Sequence, residues 1–78
     1  MKKYMVVETF KPTCWAMARG RFEQKRRLLP TGLNYLGSWS NRDRRLCNQL
    51  METAQPKLFT LWFSWWDDLV EFDLVPLD

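Results

Sequence analysis

The chain has 78 residues, a net charge of +3, two cysteines and no histidine. A domain of this size buries only about 60–65% of the surface its unfolded form exposes, and disulfides, a metal or self-association often supply the missing stability. The lack of histidine argues against a metal cluster, and Cys14 and Cys47 are too few and too far apart in sequence for a disulfide framework, which leaves self-association.

Lys3 to Phe10 is rich in β-branched and aromatic residues and reads as a first strand. Met5 and Val7 share one face; Tyr4, Val6, Glu8 and Phe10 share the other. Lys11-Pro12-Thr13 breaks it, with Thr13 placed to cap a helix. Trp15, Ala18, Phe22 and Leu29 then follow at near-helical spacing among Arg19, Arg21, Lys25, Arg26 and Arg27, which predicts an amphipathic helix of about four turns stopped by Pro30. Gly20 within it costs about 1 kcal/mol against Ala.

Leu33 to Ser40 alternates, with Leu33, Tyr35, Gly37 and Trp39 on one face. After a turn at Asn41-Arg42-Asp43, Arg44 to Glu52 alternates again, with Leu46, Asn48 and Leu50 on one face and Arg45, Cys47, Gln49 and Met51 on the other. Two alternating runs joined by a short polar connection predict a β-hairpin. Pro56 suits the first helical position of a second helix. This helix carries Phe59, Trp62, Phe63, Trp65 and Trp66 and runs to Asp67-Asp68, after which Val70 to Pro76 reads as a last strand. Trp62, Trp65 and Leu69 are expected inward, with Phe59, Phe63 and Trp66 toward a neighbour.

The order β-α-β-β-α-β in one domain spanning residues 1–78 predicts an α+β, ferredoxin-like fold: a four-stranded antiparallel sheet with two helices on one face. Met5, Val7, Leu46 and Leu50 are assigned to the helices. Tyr4, Val6, Phe10, Tyr35, Trp39, Cys47 and Met51 then fall on the open face, a surface for a two-fold homodimer with a barrel-like interior. A one-residue change of register inverts that assignment.

The net charge conceals a division: residues 1–45 carry +8 and residues 46–78 carry −5. A nucleic-acid arm is one explanation, and Arg19 to Arg27 around Phe22 are candidate phosphate contacts. Pairing between the halves is favoured, because the cations are spread through periodic structure. The third strand also lacks the aromatic residues with which this topology stacks RNA bases. The basic Met1-Lys2-Lys3 is followed by too short an apolar run for a secretory leader, and the aromatic stretch is well short of the ~20 residues that span a bilayer. A cytoplasmic protein with reduced thiols and no membrane contact is expected.

Leu29-Pro30-Thr31-Gly32-Leu33-Asn34-Tyr35, Ser38-Trp39, Cys47-Asn48-Gln49-Leu50-Met51-Glu52 and Trp66-Asp67-Asp68-Leu69-Val70-Glu71-Phe72, with Val6-Val7-Glu8-Thr9-Phe10 at the start, resemble a family of small bacterial single-domain proteins of unknown function. That family is similar to the dimeric α+β-barrel group, and the resemblance covers nearly the whole chain. It implies the fold and a dimer but transfers no catalytic residue. More distant members of the group include oxygenases and small-molecule isomerases, a weak guide to chemistry.

Glu8 is the foremost candidate site residue, a carboxylate on an otherwise apolar strand face where burial raises its pKa. Tyr35, Trp39, Cys47 and Gln49 are placed with it as a ligand-binding constellation in the barrel interior. The plainer alternative pairs Glu8 with Arg44 or Arg45. Cys14, in the first turn of a helix without a histidine to activate it, reads as an inert thiol, and Cys47 as packing. Asp67 and Asp68 stand at the unfavourable end of a helix dipole and are expected to pair with cations of the first helix; no metal site and no cofactor are expected. The leading expectation is a homodimer that binds a small, partly apolar molecule. The alternatives are a cofactor-independent oxygenase- or isomerase-type enzyme using Glu8, and a structural or protein-interaction dimer.

Overall fold

The computed structural model describes residues 1–41, 43 and 45–77. The elements are β1 (Lys2–Phe10), α1 (Trp15–Lys25), β2 (Leu33–Asn41), β3 (Leu46–Thr53), α2 (Leu58–Ser64) and β4 (Val70–Leu77). The strands form one antiparallel sheet in the order β2-β3-β1-β4. This is the predicted ferredoxin-like α+β arrangement, with β1 and β3 central because each is flanked on both sides. Among the described residues, no helix is long and apolar enough to cross a membrane.

The helices cover the face that carries Tyr4, Val6, Glu8 and Phe10, the reverse of the face expected from sequence. Tyr4 meets Phe59 of α2 edge-on at 5.0 Å, and Phe10 meets Trp15 of α1 at 4.7 Å. Cross-strand register places Met51 beside Tyr4, Gln49 beside Val6 and Cys47 beside Glu8, so all of these look toward the helices. Met5, Val7, Leu46 and Leu50 lie on the open face instead. Strand β1 is apolar on both faces, so its alternation alone does not say which face is covered. Burial decides it: Val6 and Met51 are fully buried, whereas Met5, Val7, Leu46 and Leu50 are only half-buried.

A bulge in β2 produces a second departure. Tyr35 pairs with Met51 and Gly37 with Leu50, leaving Leu36 as the extra residue. An extra residue shifts the alternation by one. Leu33 and Tyr35 therefore belong to the helix side, while Gly37 and Trp39 belong to the open side and Ser38 and Ser40 return to the helix side. Trp39 lies near Gly37, where a Cβ would stand in ordinary contact with the indole at 3.7 Å.

Helix α1 is three turns long, not four. Thr13 has φ 65° and is not the cap; Cys14 occupies that position, without a side-chain cap. The helix ends at Lys25 because Arg26 and Leu28 both take positive φ, 58° and 59°. Such conformations cost roughly 1–3 kcal/mol each in a non-glycine residue, and only surrounding contacts hold them. Here the contacts are two indoles: Trp62 and Trp66 both donate their Nε1–H to the carbonyl of Arg27, at 2.7 and 3.1 Å.

Helix α2 is a short amphipathic segment whose inward face is Phe59, Trp62 and, just past its end, Trp66. Phe59 and Trp66 are thus core residues and not a surface for a neighbour; Trp65, expected inward, is 40% exposed. Phe63 stacks on Phe72 of β4 at 4.1 Å. Thr53, fully buried at the end of β3, donates to the Gly32 carbonyl at 2.7 Å and accepts from the Gln55 amide at 3.0 Å. It ties the strand end to both neighbouring turns.

Candidate functional site

Strand β1 enters the helix-covered layer with Val6, then Glu8, then Phe10, and β3 sets Gln49 and Cys47 beside them. An apolar strand would fill this end of the layer, but three polar side chains stand there instead. Above them α1 offers Ala18 and Phe22. The result is a cavity of about 380 Å³ between α1 and the sheet, open at one side. Its walls are aromatic, from Phe10, Trp15, Phe22, Trp62 and Trp66, and its floor is polar.

The floor is one continuous hydrogen-bonded chain. Arg27 donates its Nε–H to Gln49 Oε1 at 3.1 Å, and Gln49 donates through Nε2 to Glu8 Oε2 at 2.7 Å. The amide orientation follows from its neighbours: its oxygen faces the cation and its nitrogen faces the acid. The guanidinium lies over the Tyr35 ring at 3.6 Å and near Phe22 at 5.1 Å, contacts of the cation–π kind. Tyr35 is itself held by a 2.8 Å bond to Ser38.

Burial pushes the Glu8 carboxyl up from 4.5 to about 7, against the opposing pull of the Gln49 hydrogen bond and the Arg27 charge. The desolvation of a carboxylate is the larger effect because Arg27 stands one amide away and not in contact. Near neutral pH Glu8 therefore holds a proton in part of the population, the condition in which a carboxyl both gives and takes one. Cys47 lies in the same cavity, with the Ser40 hydroxyl donating to its sulfur at 3.5 Å. Burial pushes this thiol up, so it is not an activated nucleophile.

Of the five residues expected to form the site, Glu8, Cys47 and Gln49 line the cavity together. Tyr35 stands behind Arg27 as its platform. Trp39 does not belong: the bulge places it on the opposite face of the sheet, 58% exposed. The constellation thus sits between helix and sheet within one protomer and not on the open face. The alternative pairing of Glu8 with an arginine of the β2–β3 turn is replaced by Gln49 and Arg27. Arg45 has φ 56° and accepts the Phe10 amide on its carbonyl at 3.0 Å, and Arg44 lies outside the described residues, as does Arg42 in the expected turn.

Arg27 is the functional residue that the sequence concealed. It sits in a run of cations that reads as a solvated helix surface, and nothing marks it apart from Arg26. Its role depends on the positive-φ backbone at Arg26 and Leu28, which turns Arg27 toward the layer while Arg26 stays exposed. Asp68 behaves as the charge division suggested: Arg21 of α1 grips it through two 2.8 Å bonds and donates to the Trp65 carbonyl at 2.9 Å. Lys11 donates to the Asp67 carbonyl at 2.7 Å. Cys14 and Cys47 are free thiols. Among the described residues, no three Cys, Asp or Glu side chains come together as a metal site.

Fold and site define a small ferredoxin-like α+β domain with a side-opening aromatic cavity floored by an acid, an amide and a guanidinium. The chain belongs to a family described as a domain of unknown function (DUF3303), whose pattern it matches over residues 2–77. No curated protein and no solved structure matches it.

Proposed function

We propose that this protein binds a small, partly apolar molecule in the cavity between α1 and the sheet, as a homodimer joined through its open sheet face. The observation that carries the binding reading is a buried polar chain, Arg27–Gln49–Glu8, laid across the floor of an otherwise aromatic cavity. Polar side chains in a core normally cancel one another and close the space around them. These are joined and yet border about 380 Å³, a volume within the range of small-molecule sites. The dimer reading rests on the open face, where Met5, Val7, Leu46 and Leu50 are half-buried without a covering layer and Trp39 and Val75 are exposed. Such an uncovered apolar cluster, bordered by Asn48, Asp73 and the Lys3–Glu52 pair, is suited to a second copy.

Native mass spectrometry of the purified protein tests both parts together. The expected result is a dimer carrying a small-molecule adduct, with Trp39→Glu giving a folded monomer. A packed dimer with no adduct, whose Trp62 and Trp66 indole resonances stay fixed across a fragment library, overturns the binding reading. A monomer at tens of micromolar overturns the dimer.

Acid–base catalysis, of the isomerase or oxygenase kind, is the second reading, favoured by the placement of the Glu8 carboxyl near neutrality beside an accessible cavity. It requires a ligand that turns over. Glu8→Gln would then abolish turnover while leaving binding within a few-fold; unchanged turnover removes this role.

A further inference from the structure

The cavity sets one cation, Arg27, apart from its nearest acid, Glu8, by a whole amide. On its rim, Arg19 and Glu23 of α1 face each other at 3.6 Å and cancel. Asp68 and Arg21 are paired outside it. Arg27 alone stands within the layer, and among the described residues it makes no ion pair. Its Nε edge is taken by Gln49, and its face by Tyr35. The two Nη groups are the remaining donors, in the flat fork that matches a carboxylate edge to edge. The body of such a ligand would lie against flat walls: Phe10 and Trp15 on one side, Phe22 next to the guanidinium itself.

From this geometry we infer that the cavity takes a small planar monoanion, an aromatic or conjugated carboxylate, its carboxylate on the Nη groups of Arg27 and its ring among Phe10, Trp15 and Phe22. The inference rests on the binding reading above and names the ligand class. A dianion such as a phosphate monoester would need a second cation within the layer, and Arg19 lies on the exposed rim beside Glu23. A neutral apolar molecule would leave the Arg27 fork without an acceptor.

Proton linkage follows from the same floor. Among the described residues, the titratable and polar groups that share this cavity with Glu8 are Gln49 and Cys47 from β3, Arg27 from the segment after α1, the Arg19–Glu23 pair at the rim, and the hydroxyls of Ser38 and Ser40 from β2. Strand β4 and helix α2 contribute only Val70, Trp62 and Trp66. An anion on Arg27 offsets the charge that stabilises ionised Glu8. Binding therefore takes up a proton at Glu8, and affinity falls as pH rises through about 7.

The test is a titration of the full chain with benzoate, 4-hydroxybenzoate and cinnamate, each beside its primary amide, followed on the indole N–H signals of Trp62 and Trp66. The acids are expected to bind at least about tenfold more tightly than the amides, the scale of one charge-assisted hydrogen bond. Arg27→Gln should remove the preference, and Arg27→Lys should restore part of it. The backbone carbonyl that holds the indoles survives both changes, so the same two signals report whether the variants fold. Acid binding should weaken about tenfold between pH 6 and pH 8.5 if the ligand raises the Glu8 pKa by one unit, and Glu8→Gln should flatten that dependence. Amides that bind as well as the acids overturn the ligand class and leave the cavity reading standing. Binding of neutral library compounds but no acid does the same. If nothing shifts the indole signals, both fail.

Discussion

Two arginines flank Trp66, and they are used in opposite ways. Arg21 lies 5.4 Å from the Trp66 ring on the outside and is spent entirely on the surface: two bonds to Asp68 and one to the Trp65 carbonyl. Arg27 presents its carbonyl to the Trp66 indole on the inside, and its guanidinium is committed along one edge only. The first raises its own pKa and lowers that of Asp68 through a fork that is complete. The second polarises a glutamine and keeps donors in reserve. An arginine with a filled fork fastens two elements, whereas one with half a fork beside a cavity is equipped to receive something.

The sharpest way to break this contrast is to remove the indole that locks the inner arginine. Trp62→Ala deletes a fully buried side chain and one of the two donors to the Arg27 carbonyl. It should cost about 3–5 kcal/mol, read as a lower urea midpoint, and should release the positive-φ segment to solvent hydrogen exchange. A loss under 1 kcal/mol would mean that the reversal at residues 26–28 stands without the indoles.

Glu8 gives the next largest effect, with a definite sign. Its pKa is about 7 in the folded chain against an ordinary value of 4.5, so between these values the folded state holds a proton that the unfolded state has released. Stability is therefore lost as pH rises from about 4.5 to 7 and is level above that range. The full span is worth roughly 3 kcal/mol for a shift of that size. Asp68 acts with the opposite sign, at pH below its ordinary 3.8, outside this window. Urea denaturation across pH 4.5–8 should show the fall in the wild type and a flat line in Glu8→Gln. A rising wild-type curve would mean that Glu8 is ionised and paired.

The outer arginine should matter least. Arg21→Gln removes an exposed ion pair, worth about 0–1 kcal/mol, and should leave cavity binding unchanged. If it weakens binding as much as Arg27→Gln, the two arginines are not functionally distinct and the contrast dissolves.

The legible parts of the molecule were those governed by local pattern. Element order, the hairpin and the pairing of basic α1 with an acidic partner all follow from spacing and composition, whereas Pro56 falls two residues before α2 and not at its first position. So did the grouping of Glu8, Gln49 and Cys47, because period-two alternation puts them on one face wherever that face lies. The choice of face did not follow, since Met5 and Val7 are as apolar as Tyr4 and Val6. Trp39 was misplaced by one unpaired residue, Leu36, which no turn-forming side chain announces. Arg26 and Leu28 likewise carry no glycine-like mark of the positive φ they adopt. These are tertiary decisions made by Trp62 and Trp66, more than thirty residues away in sequence.

The shared carbonyl has a consequence for how this domain could change. The indoles grip residue 27 by its main chain, so the anchorage is indifferent to what grows from its α-carbon. Position 27 is in effect a socket: a lysine, glutamine or tyrosine fitted there would be delivered to the same cavity floor by the same scaffold. Divergence in ligand preference could begin at that single codon, with the framework left untouched.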